Sequence, residues 1–267
     1  MKKNKIFLSI TLLLIIVFLG TWLVYRNFIV TDNSLSIIKN KGVLVVGSAL
    51  PFGVMEFWDE NNKAVGVDVD VATEIANHLQ LKLEFIDYDW DDLFVKLKNG
   101  EIDIAISSIT ITPERQKEML FSDPYFRGGQ VMVTRNNDQS IRGVNDLMDK
   151  KVAVQQDTTS YDEAKKYTTD SLIFTYLNFE STSNQDGIVN DLKNNKFDAI
   201  IVDYTEALNI IKKDSNLKIV GVPFTSEDYG IATKMGNNSL IKEINNLLKD
   251  MKKDGHLDEI KSKWTKF

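Results

Sequence analysis

The chain contains no cysteine among its 267 residues. Disulfides, thiolate catalysis and thiolate metal ligation are therefore excluded together, and the fold must stand on its hydrophobic core. Histidine is nearly absent as well: His78 and His256 each stand alone in a helical context, too sparse for a metal site or a Ser-His-Asp triad. Ser107 and Ser108 lie in no G-x-S-x-G elbow, and no phosphate-binding or dinucleotide fingerprint occurs. The acidic run Asp87, Asp89, Asp91 and Asp92 has Asp92 where a calcium loop needs glycine and Lys98 where it needs glutamate, so it reads as a solvated helix start. No metal, no cofactor and no catalytic residue is expected.

Positive charge is scarce beyond the first residues. After residue 26 the chain holds 28 basic and 38 acidic residues, a net charge of −10, and such a surface repels nucleic acid. From Ile6 to Val24 run 19 residues without charge, preceded by three lysines and followed by Arg26. That length spans a bilayer as a helix, with the lysines on the cytoplasmic side. Residues 1–29 are thus expected to form a single membrane anchor holding the rest at the extracytoplasmic face. A secretory signal peptide is the competing reading, but the run exceeds the usual apolar core and no A-x-A-like cleavage site follows. Thr21 stands where a lipoprotein would carry its acylated cysteine, which excludes lipid attachment there.

Tyr25 to Ser36 form a polar tether, after which strand and helix signals alternate to the C-terminus, as in α/β proteins. Val43 to Val46 and Lys82 to Ile86 read as strands. Between them Val71, Ile75 and Leu79 recur at helical spacing, with Asp68 or Asp70 as cap. Leu93, Leu97 and the stop Asn99-Gly100 mark a second helix. Lys151 to Gln155, Asp198 to Val202, Leu217 to Val220 and Tyr229 to Ala232 are further strands. Thr159 to Tyr167, Ser183 to Asn194, Ser239 to Met251 and His256 to Trp264 are further helices. No linker divides the soluble part, so two lobes would be joined by short crossings, with Gly128-Gly129 and Tyr229-Gly230 as hinges.

The segment Ile102 to Tyr125 carries the chemistry. Ile102 to Ile106 read as a buried strand, Ser107 to Thr112 as a polar turn, and Pro113 fits the first position of a helix. Arg115 would then lie in the first helical turn, where guanidinium and unpaired N–H groups converge on one anion. The structural alternative is a salt bridge to Glu114, Glu118 or Asp123.

Gly66-Val67-Asp68-Val69-Asp70-Val71-Ala72, Ile104 to Thr110 with Pro113-Glu114-Arg115, Phe121-Ser122-Asp123-Pro124-Tyr125, and Phe197 to Asp203 together resemble family 3 of the extracellular solute-binding proteins, the amino-acid-binding proteins of bacterial ABC importers. The resemblance implies a two-lobed α/β fold of the type II periplasmic-binding-protein kind, closing on its ligand like a flytrap. Lobe 1 would comprise residues 37–124 plus 231–267, and lobe 2 residues 130–226. It implies that Arg115 grips the α-carboxylate of a free amino acid together with the N–H groups of Thr110 and Thr159. Asp203 would take the α-ammonium, helped by the Ser108 carbonyl and the Thr110 hydroxyl. Phe52 and Trp90 would cover the side chain, with Gln155 and Thr158 completing the set. ABC-transporter permease subunits on other chains are the implied partners.

The departures from the family pattern bear on the ligand. Ala49 replaces an aspartate that many relatives carry, and Gln155 stands where some use lysine, so the distal pocket is expected to hold no charge beyond those the zwitterion uses. A neutral polar amino acid such as glutamine is then expected over lysine, arginine, glutamate or aspartate, unless Glu56 turns into the pocket. Asp157 replaces a customary glycine in the loop before Thr159. An exported prephenate or arogenate dehydratase on the same scaffold, with Asp203 as general acid, is the rival from the enzyme class. A sensor signalling through the anchor is a third reading.

Overall fold

The computed structural model describes residues 32–176 and 187–265. Expectations for the apolar run at residues 6–24, and for the first part of the Ser183 to Asn194 helix, fall outside these residues. Among the described residues no helix is long and apolar enough to cross a membrane.

Two five-stranded sheets organise the chain. In the first, Val43–Ser48 lies between Lys82–Asp87 and Ile104–Ala105, parallel to both, while Ala232–Lys234 runs antiparallel to Ile104–Ala105 and to Met119–Phe121. In the second, Val152–Gln155 lies parallel between Ile173–Tyr176 and Ala199–Asp203, and Gln130–Arg135 runs antiparallel to Ala199–Asp203 and to Leu217–Val220. Central strands such as Ala199–Val202 are apolar on both faces because helices cover both, the usual fate of parallel strands. The first sheet is likewise enclosed, by a cluster around Val46, Ile75, Ile104 and Leu248 on one face and around Val45, Leu93, Leu97 and Ile109 on the other.

The helices follow their apolar spacing. Val67–Leu79 buries Val71, Ile75 and Leu79. Trp90–Asn99 stops at Gly100, whose φ of +78° a side chain tolerates poorly. Thr159–Tyr167, Asn238–Asp254 and His256–Thr265 lie within a few residues of their expected bounds. The described end of the Ser183 to Asn194 helix, Ile188–Lys193, turns Ile188 and Leu192 inward.

Three local expectations are corrected. The helix at Val67 is capped by Gly66, and Asp68 is buried rather than exposed as a cap. Pro113 and Arg115 open no α-helix: one 3-10 turn, Arg115–Lys117, leads directly into Met119–Phe121, whose pairing with Ala232–Lys234 claims the chain. The expected strand Tyr229 to Ala232 is two strands. Glu227–Tyr229 pairs antiparallel with Phe126–Gly128 in a separate ribbon, and Ala232–Lys234 joins the first sheet. That ribbon crosses between the sheets, and a side chain at Gly128 would strike the Tyr229 ring.

Candidate functional site

The carboxyl ends of the parallel strands converge on one cleft of about 370 Å³ between the sheets. In open α/β sheets this is where ligands bind, because the strands stop there while the loops and helix N-termini remain exposed. Asp87, Gln155 and Asp203 end their strands, and Ser107 and Ser108 follow Ile104–Ala105 after a single residue, Ile106. All nine candidate residues line this cleft: Phe52, Trp90, Ser108, Thr110 and Arg115 from the first side, Gln155, Thr158, Thr159 and Asp203 from the second.

Arg115 is held by the turn rather than by a salt bridge. Its Nη1 donates to the Thr110 carbonyl at 3.0 Å and its Nη2 to the Asp157 carbonyl, in the second lobe, at 3.4 Å. The guanidinium carbon lies 5.4 Å from the centre of the Trp90 ring, so indole and cation stack. Glu118 pairs with Lys98 instead. Burial pulls the Arg115 pKa below its ordinary value, opposed by the carboxylates of Glu227, Asp203 and Asp162. A guanidinium remains charged through such shifts, so the cleft holds one fixed cation partly stripped of water. Beside it Thr158 opens the helix Thr159–Tyr167, whose N–H groups face the same space.

Asp203 begins the helix Tyr204–Lys213 but makes no side-chain cap. Its carboxylate instead accepts the Tyr229 hydroxyl and faces the cleft. Enclosure by protein raises its pKa to about 7, with the nearby Glu227 charge adding to the effect. Trp90 is 9% exposed and its Nε1 donates to the Asp157 carbonyl at 3.2 Å. Asp157 adopts φ +57°, a left-handed conformation that glycine takes most readily. Thr158 Oγ1 donates to the Gln155 carbonyl at 2.8 Å, closing the turn before the helix.

Glu227 was not singled out by sequence, and nothing in its surroundings there marked it. It stands on the ribbon between the sheets and is 7% exposed. Its Oε2 accepts the hydroxyls of Thr110 at 2.6 Å and of Thr159 at 2.9 Å, one from each lobe. With its proton so committed, the Thr110 hydroxyl offers lone pairs to the cleft.

The expectation of a distal pocket without further charge does not hold, since Asp87 and Asp89 line the cleft together with Tyr88 and Trp58. Asp87 accepts the Leu50 N–H at 2.9 Å, and desolvation raises its pKa. The signal was available: a carboxylate ending a parallel strand, set aside as part of a solvated run. Glu56 does not restore charge to the pocket, because it is fully buried behind the floor. Among the described residues no group of three or more His, Asp or Glu is placed to hold a metal ion. His78 pairs with Glu243 and His256 lies between Glu74 and Glu259, both away from the cleft.

Two lobes around a strand-end cleft, with a fixed cation and a buried carboxyl group inside it, define a solute-binding protein. The chain belongs to the bacterial extracellular solute-binding proteins, family 3, whose pattern matches residues 44–267. It is a binding protein and not an enzyme. It is 32% identical over 235 residues to the L-cystine-binding protein TcyJ of Escherichia coli K12, covering 87% of this chain and 86% of that one. A mutant of ArgBP from T. maritima is 38% identical with a TM-score of 0.78, over 86% of this chain and 98% of that structure. An ancestral arginine-binding protein, solved with arginine, is 40% identical with a TM-score of 0.77, over 84% of this chain and 99% of that structure.

Proposed function

We propose that this protein captures a free L-amino acid between its lobes and delivers it to the permease of an ABC transporter. Residues 37–124 plus 231–267 form lobe 1 in this reading, and residues 130–226 form lobe 2. The observation that carries it is the paired charge in the cleft: Arg115 and the N-terminus of the helix Thr159–Tyr167 for a carboxylate, Asp203 with Ser108 and Thr110 for an ammonium. Each charge-assisted hydrogen bond contributes roughly 1.5–3 kcal/mol, and only a zwitterion with both groups on one carbon draws on both sets. Phe52 and Trp90 cover the ligand side chain, with Gln155 and Thr158 beside it.

The side chain is cationic in this reading, arginine before glutamine. Asp87 and Asp89 line the side-chain end of the cleft, and burial already disfavours the charge on Asp87, so a cationic side chain would meet acidic surroundings there. The names of relatives agree in part, as the ancestral arginine-binding protein was solved with arginine and also with glutamine. A neutral polar ligand such as glutamine is the second reading, favoured by the Gln155 amide, which can both donate and accept. The apolar run Ile6–Val24 would tether the binding domain to the outer face of the cell membrane.

A thermal-shift panel of the common amino acids tests the function, because ligand at 100 times its dissociation constant adds about 2.7 kcal/mol of stability. Silence in every well would sink the reading. Competition calorimetry between arginine and glutamine, repeated on Asp87→Asn and Asp89→Asn, then decides the side-chain class.

A further inference from the structure

Two carboxyl groups lie directly behind the floor of the cleft without lining it. Glu56 and Asp68 are fully buried, and the titratable groups facing them are Tyr125, Tyr229 and Glu206, the last from the second lobe. Asp68 accepts the Ser108 N–H at 2.7 Å through one oxygen and the Tyr125 hydroxyl at 2.7 Å through the other. Glu56 Oε1 accepts the Ser107 hydroxyl at 2.7 Å, and the same Ser107 oxygen accepts the Ala49 N–H at 3.0 Å. Among the described residues Glu56 Oε2 meets no N–H or O–H donor, and the Glu56 carboxyl lies against that of Asp68.

The turn fixed by these bonds is strained. Ser108 has φ +50°, a conformation a residue with a side chain keeps only when its surroundings impose it. Among the described residues its hydroxyl finds no partner, although the residue lines the cleft. The geometry points to Glu56 and Asp68 as an acid–carboxylate pair that shares one proton and positions the Ser107–Ser108 turn for the ligand ammonium. This rests on the amino-acid reading above.

Satisfying every polar atom requires the proton. Asp68 receives two donors and must be the anion. Glu56 ionised would set an oxygen with no donor against another carboxylate, and two like charges in contact do not both ionise in a buried site. Glu56 protonated on Oε2 donates to Asp68 and leaves no oxygen of the pair without a partner. In keeping with this, burial and the neighbouring Asp68 hold Glu56 well above the carboxyl range, while Asp68 rises only to about 6. One negative charge therefore remains behind Ser108, opposite Asp203 and on the side where the ammonium is to sit. Through Tyr125, whose N–H donates to the Tyr229 carbonyl at 3.0 Å, the same carboxylate also ties the floor to the crossing ribbon.

Calorimetry with arginine and with glutamine on Asp68→Asn, Glu56→Leu and Glu56→Gln tests the pair. Asp68→Asn offers one acceptor oxygen where two donors converge, and is expected to lose about tenfold or more in affinity, as one charge-assisted hydrogen bond carries. Glu56→Leu should lose comparably, and Glu56→Gln, whose amide imitates the protonated acid, should recover most of that loss. A ligand-free melting series supplies an independent readout. The folded chain keeps a Glu56 proton that the unfolded chain releases near pH 4.5, so Tm should fall as pH rises above that value, and fall less in Glu56→Gln. Glu56→Gln no better than Glu56→Leu, or Asp68→Asn binding as the wild type does, overturns the proposal. Should the wild type bind neither amino acid, the function fails on its own, and an unchanged melting series in Glu56→Gln then overturns the pair.

Discussion

Trp90 in the first lobe and the carbonyl of Asp157 in the second are joined by a 3.2 Å hydrogen bond that bridges the cleft. The two groups sit on opposite sides of the opening, so the bond can form only while the lobes lie close together. Trp90→Phe keeps an aromatic face over Arg115 and removes the N–H donor. It should weaken ligand binding by roughly 1 kcal/mol, mainly through faster dissociation, as read by stopped-flow release.

Arg115→Ala should remove measurable amino-acid binding while leaving the domain folded. Among the described residues the guanidinium packs on Trp90 and bonds two carbonyls but makes no direct ion pair with an acidic side chain, so its loss should strip the proposed carboxylate subsite more than the core. Losing one partner of a buried charge pair costs roughly 2–5 kcal/mol. Wild-type affinity by calorimetry, with an unchanged circular dichroism spectrum, would return Arg115 to a structural role.

Under the proposed function, Asp203 should make binding depend on pH. Its pKa of about 7 means that a fraction is protonated at neutrality and would not serve an ammonium. Affinity should therefore fall as pH drops through about 7, and binding at pH 7 should release protons, seen as a dependence of the calorimetric enthalpy on the buffer. For the ligand-free chain the sign is opposite: the raised pKa favours folding fully below the unfolded value near 3.8, and that advantage is lost as pH rises through about 7. Asp203→Asn should abolish the proton release together with most of the affinity.

Gly53→Ala should act on closure. The residue has φ +55°, and an added methyl carbon would lie 2.9 Å from the Thr205 carbonyl across the lobe boundary. A wedge there holds the lobes apart, so affinity should fall about tenfold or more, while the backbone cost to stability stays on the order of 1–2 kcal/mol. Small-angle scattering with ligand present should show a larger radius of gyration than the wild type under the same conditions. A variant that closes normally would show that the loop yields.

Much of the fold was legible because periodicity reports burial. Leu93, Leu97 and Gly100 specify one helix with its stop, and the apolar run Ala199–Val202 announces a strand covered on both faces. At the cleft, the family resemblance brought nine lining residues into view, yet left out Glu227, Asp87 and Asp89. An isolated glutamate gives no sign that two hydroxyls from distant segments will converge on it. Local patterning also misread Asp68 as a cap, since helical spacing does not tell which face of the first turn a neighbouring loop will cover. At Arg115 the pairing of Met119–Phe121 overrode a helix-start signal, a tertiary choice that lies outside the local window.

Glu227 has a consequence for how cargo leaves. It is carried by a strand of the connecting ribbon, yet grips a threonine on each jaw, so flexing the ribbon and disturbing the pocket are one mechanical event. A docked transporter would then have no need to reach the solute. In the proposed function, any motion that parted the lobes would break the two threonine contacts together, so release would follow the separation of the jaws rather than the grip of any single side chain.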